Sequence, residues 1–161
     1  MTEQEFLSGY RSWYQAHMIL SSYIAIEDRG KGRSALYFLS MSGMYHLLWG
    51  ALLFVVCEHL AKSHDVPTDL RAAIRTIFKP LKHYRNAVFH TPRVLAPKAI
   101  VAFISHDEYV NRAVDLHDQI RDFFRSHKFA GLLPPESIED FEFFGDILQI
   151  KRSSESPPSK N

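Results

Sequence analysis

Cysteine is nearly absent: Cys57 is the only one in 161 residues. A single thiol excludes an internal disulfide and any zinc site built from several cysteines. It suits a reducing compartment, and the chain is expected in the cytoplasm. An excess of one charge is missing too. Nineteen Lys+Arg face eighteen Asp+Glu, for a net charge of +1. A chain-wide field toward nucleic acid is therefore excluded, and any RNA site must be a local patch. Thr2-Glu3-Gln4-Glu5 carries no basic residue ahead of an apolar run, so the N-terminus does not read as a signal peptide. The nine histidines include no His-Glu-x-x-His, and Arg29-Gly30-Lys31-Gly32-Arg33 lacks the Gly-Lys-Ser/Thr ending of a nucleotide-hydrolase phosphate loop. Nothing calls for a metal or a cofactor. No internal repeat is visible, and strand-like patterning is absent apart from the ambiguous run Lys98 to Ser105.

One more absence needs interpretation. Residues 34–57 carry no charge, a length that can span a bilayer. Ser40, Ser42, Gly43 and His46 interrupt the stretch, and only Leu47 to Cys57 is densely apolar. The pattern predicts a buried central helix rather than a membrane span.

What is present is helical periodicity. Hydrophobic residues at 46% and aromatics at 13% suffice for the core of one domain. Thr2 and Glu5 have the spacing of a capping box. Phe6, Tyr10, Trp13, His17, Leu20 and Ile24 then recur at four and three, predicting a helix to about Asp28. His17 reads as a hydrogen-bonded core residue. The glycines at 30 and 32 make a turn. A second helix runs from Ser34 to about Ser63, with Gly43 and Gly50 leaving room for close approach and His46 as a polar exception. Pro67-Thr68 starts a third, with Leu70, Ala73, Ile74, Ile77 and Phe78 on one face and Arg71, Arg75, Lys79 and Lys82 on the other. Pro80 is expected to kink or restart it, so the next segment runs from Leu81 to His90, ahead of Pro92. A last helix runs from His106-Asp107-Glu108 to about Lys128, on the stripe Tyr109, Ala113, Leu116, Ile120 and Phe123, before Gly131. His117-Asp118 reads as surface polar groups. The expected architecture is all-α, an up-and-down bundle of four to five helices over 1–131. An amphipathic extension follows over 132–150, with Phe141, Phe143 and Phe144, then a polar disordered tail over 151–161.

The chemistry concentrates in Lys82-His83-Tyr84-Arg85-Asn86-Ala87-Val88-Phe89-His90. Metal-free RNA cleavage needs a base for the 2′-hydroxyl, positive charge on the phosphate and an acid for the leaving 5′-oxygen. His90 can move a proton, Arg85 offers a fork of donors to phosphate, and Asn86 can orient either. A helix end near His90 would favour its protonated form. His83, Lys82, Lys79 and Arg75 extend a positive face toward the motif as weaker substrate-binding candidates. The same residue types also make capping and inter-helix hydrogen bonds, so a purely structural role stays open.

Arg85-Asn86-x-x-x-His90 in this helical setting resembles the R-N-x-x-x-H signature of the HEPN domain superfamily, over roughly residues 2 to 129. The resemblance implies a metal-independent endoribonuclease that works as a homodimer, two motifs facing across a composite cleft. Arg85 would bind the scissile phosphate, Asn86 would orient and His90 would transfer protons, giving 2′,3′-cyclic phosphate and 5′-hydroxyl ends. It also implies a toxin or antiviral-defence role, with an antitoxin or defence-system partner. Where one toxin branch has a tyrosine two residues after the histidine, this chain has Pro92, which argues against control by modification of that tyrosine. The alternatives are a non-catalytic HEPN-like module for nucleotide, RNA or assembly, and an interaction protein docking through Phe141 to Ile150.

Overall fold

The capping box forms as the sequence predicts. In the computed structural model, which describes residues 1–29, 35–89 and 98–133, the Thr2 amide donates to Glu5 Oε2 at 2.7 Å and the Glu5 amide to Thr2 Oγ1 at 3.2 Å. These bonds hold the Glu5 carboxyl below the usual carboxylate range. They start α1 (Glu3–Arg29), followed by α2 (Ala35–Ala61), α3 (Thr68–Phe89), α4 (Lys98–Ile104) and α5 (Asp107–Ser126). The fold is an all-α, up-and-down bundle, and no strand occurs among the described residues. The expected loop at 30–34, His90 through Pro97, and most of the expected extension and tail lie outside the described residues.

Met1–His127 form one compact unit. All six residues of the α1 stripe are buried in it. The central element is α2, which packs most extensively on α1 and then on α3. Trp49, Ala51, Leu53, Phe54, Val56, Cys57 and Leu60 are its buried residues. Gly43–Ala61 is long and apolar enough to cross a membrane by length and composition; here its inner residues form the bundle core. Burial pushes the Cys57 thiol up to about 12, leaving it an inert core group.

Gly50 is required by close approach. A Cβ there would lie 2.7 Å from Cε1 of Tyr84, so the glycine lets α3 settle on α2. Among the described residues, nothing lies within 4 Å of a Cβ placed on Gly43. Gly9 does: a Cβ on it would stand 2.7 Å from Cδ2 of His59.

Two further expectations are corrected. Pro80 does not restart the helix; α3 is continuous through it. The proline withholds one hydrogen bond and crowds the preceding turn, at about 3 kcal/mol. Against this, Leu81 and Tyr84 are fully buried beyond it, each worth roughly 1.5–3 kcal/mol. They continue the stripe of Leu70, Ile74 and Ile77. Packing therefore outweighs the local break. At the other end, α5 stops at Ser126, where His127 turns extended. Gly131 does not terminate it but sits in a 3₁₀ turn, Ala130–Leu132, within a second unit beginning at Lys128.

Candidate functional site

The last turns of α3 are anchored by Tyr84. Its ring is fully buried, lies against Gly50 and packs 4.6 Å from the Phe103 ring of α4. Its hydroxyl donates to the carbonyl of His46 at 3.3 Å, and burial raises the phenol above its ordinary range. Tyr84 thus fixes the rotation of the helix that carries Arg85 and Asn86.

Those two residues are brought together. Arg85 Nη1 donates to Asn86 Oδ1 at 3.0 Å. The guanidinium carbon lies 5.6 Å from the centre of the Phe54 ring, on the α2 side of the helix. Both residues are half-buried. Arg85 Nε is enclosed and finds no hydrogen-bond partner among the described residues. His90 follows the last residue of α3 and lies outside the described residues.

The expected basic face is partly dismantled. Arg71 Nη2 donates at 3.2 Å to the carbonyls of Ser63, His64 and Val66. It closes the α2–α3 connection instead of facing a phosphate. Arg75, Lys79, Lys82 and His83 remain exposed. Of these, Lys79 and His83 border a cleft of about 360 Å³ between α3, α4 and α5. Its opposite wall includes Ala102, Phe103 and Tyr109. The linear pattern does not show the cleft: the apolar run Lys98–Ile104 is short-helix material and forms α4, but the space exists only where it meets Lys79 and His83 of α3 and Tyr109 of α5.

A second constellation was also missed. His117 is buried, not a surface group. Its Nε2 lies 3.2 Å from His17 Nδ1, and Trp49 Nε1 donates to its Nδ1 at 3.5 Å. Trp13 Nε1 donates to its carbonyl at 3.2 Å. Burial first, then the His17 imidazole and the Arg121 guanidinium, hold its pKa well below the histidine range. The signal was present in the spacing, since Ala113, His117, Ile120 and Phe124 share one helical face; the neighbouring Asp118 masked it. His46, read as a core or pocket residue, stands among Tyr23, Trp49 and Tyr84. No group of three metal-ligating side chains occurs among the described residues.

Comparison of the chain with protein-family models, with curated proteins and with solved structures returns no match.

Proposed function

We propose that this chain is a metal-independent endoribonuclease of the HEPN type. It acts as a homodimer, in the cytoplasm, as a toxin or antiviral-defence effector held in check by a partner protein. The observation that carries the reading is the Arg85–Asn86 pair. The amide and the Phe54 ring hold the guanidinium on α3, whose last residue, Phe89, precedes His90 in the sequence. One of its five N–H groups is spent on Asn86, which leaves donors for a phosphate. Arg75, Lys79 and Lys82 supply a local positive face, with His83 beside them, despite a net charge of only +1.

In the reaction, a base takes the 2′-hydroxyl proton and the 2′-oxygen attacks phosphorus. The bond from phosphorus to the 5′-oxygen breaks, and that oxygen receives a proton from an acid. His90 and its copy in the second subunit fill the proton-transfer roles. Arg85 offsets the negative charge that builds on the phosphoryl oxygens.

The half-burial of Arg85 favours one other reading, a non-catalytic module that binds nucleotide or RNA through the same face. Cleavage of end-labelled RNA in EDTA separates the two. Wild type is expected to cut, while folded, dimeric Arg85→Ala and His90→Ala are expected to lose at least about a hundredfold in rate. RNA bound but never cut would establish the module instead.

A further inference from the structure

One turn before the Arg85–Asn86 pair, the cleft between α3, α4 and α5 has two chemically different walls. Lys79 and His83 stand exposed on one. The other is apolar, with the buried Phe103 beneath it, the half-buried ring of Tyr109 along it, and the small side chains of Ala99 and Ala102 completing it. The Phe103 and Tyr109 rings lie 6.0 Å apart at 23°, nearly parallel. Tyr84 braces Phe103 from behind at 4.6 Å, so the platform is fixed to the helix that bears the motif. Among the described residues, no carboxylate lines the space. At about 360 Å³ it falls at the small end of ligand sites. Such a space selects a flat, apolar group joined to an anion, of roughly the size of one nucleotide.

We propose that this cleft holds a single nucleotide of single-stranded RNA next to the cleavage position. The base packs on the Tyr109 ring and the alanines above buried Phe103, and its phosphate lies between the Lys79 ammonium and the His83 imidazole. Packing on an aromatic face accepts any base, while Lys79 and His83 hold the strand, so the site positions RNA without demanding sequence. That the nucleotide belongs to a substrate strand rests on the ribonuclease reading; the occupancy of the cleft does not.

The test reads binding and cleavage separately. Isotope-labelled Arg85→Ala protein is titrated with uridine 5′-monophosphate and with a short oligouridylate, following the amides of Ala99, Ala102 and Tyr109. Ala102→Trp plugs the cleft from an exposed position, and Lys79→Ala/His83→Ala removes an exposed ammonium and an exposed imidazole, so neither threatens the fold. We expect these amides to shift with both ligands. Affinity should fall at least about tenfold in the plugged and the charge-deleted proteins. RNA cleavage by the same two changes, made with Arg85 intact, should slow through a raised KM. Unshifted amides, or unchanged affinity in both variants, overturn the cleft proposal even if wild type cuts RNA. Shifts at the cleft in a chain that cuts no RNA keep the nucleotide site and overturn the ribonuclease reading.

Discussion

Asn86 decides how much of Arg85 is free to act. Its Oδ1 takes one guanidinium N–H at 3.0 Å, and a carboxylate at that position would keep the acceptor while adding a negative charge. Asn86→Asp should therefore leave stability within about 0.5 kcal/mol. It should cut RNA at least about tenfold more slowly, because the new charge competes with the phosphate for Arg85. Urea unfolding and single-turnover cleavage of the same preparation check the two halves. Gly50 tests the anchor on the other side of the motif. A Cβ would lie 2.7 Å from Cε1 of the buried Tyr84 ring. The helix gains about 1 kcal/mol from Gly→Ala, but overpacking costs about 1–3 kcal/mol and here moves the ring that sets α3. Gly50→Ala should lose up to roughly 2 kcal/mol in urea unfolding; a gain of about 1 kcal/mol, the full helix-propensity benefit, would mean that Tyr84 yields freely and does not fix the motif.

Helices are joined here by a chain of imidazoles and indoles whose proton positions can be inferred. Trp49 Nε1 can only donate, so His117 Nδ1 accepts its bond. His117 Nε2 then carries the proton and donates to His17 Nδ1. This ties α5 to α1 and α2 in the dry interior. Acid breaks it: protonating His117 Nδ1 would set two donors against each other. The groups that face it are His17 and Trp13 from α1, Trp49 from α2 and, along α5, Arg121. None can neutralise the charge. Unfolded His117 takes up its proton as pH falls through about 6.5, whereas the folded group stays neutral to well below that value. The unfolded state therefore binds more protons across this window, and stability falls with pH by up to about 1.4 kcal/mol per unit. Urea midpoints at pH 7.5 and pH 5.0 should differ by up to about 2 kcal/mol. His117→Gln, which cannot titrate, should lose most of that difference. Element existence was largely legible in the sequence: capping chemistry marked the start of α1, and period gave the buried stripes of α1, α3 and α5. Pro80 and His117 were misread for a shared reason. Proline and histidine carry strong local preferences, and the burial of Leu81, Tyr84 and the Trp13–Trp49 surroundings overrides both.

For the molecule as a whole, a net charge of +1 leaves little long-range steering, so any RNA it takes must be held by contacts assembled in one place. In the proposed reading that place is the motif, marked by the identities and spacing of Arg85 and Asn86. The cleft depends on α4 meeting α3 and α5, a tertiary coincidence that a linear pattern does not carry. One chain supplies one R-N-x-x-x-H set, while the chemistry asks for an acid and a base at once. A composite site across two subunits meets that need and makes a quantitative demand. Below the dimer dissociation constant, specific activity should fall in proportion to protein concentration, then level off once the dimer saturates. Mixing wild type with an excess of His90→Ala should suppress cleavage, because each mixed dimer keeps only one of the two imidazoles that serve as acid and base. Cleavage strictly proportional to protein down to concentrations where ultracentrifugation finds monomer, with no suppression on mixing, would locate the complete reaction within a single subunit. His83 would then be the imidazole to replace next, since it is exposed on the same helix one turn before Asn86.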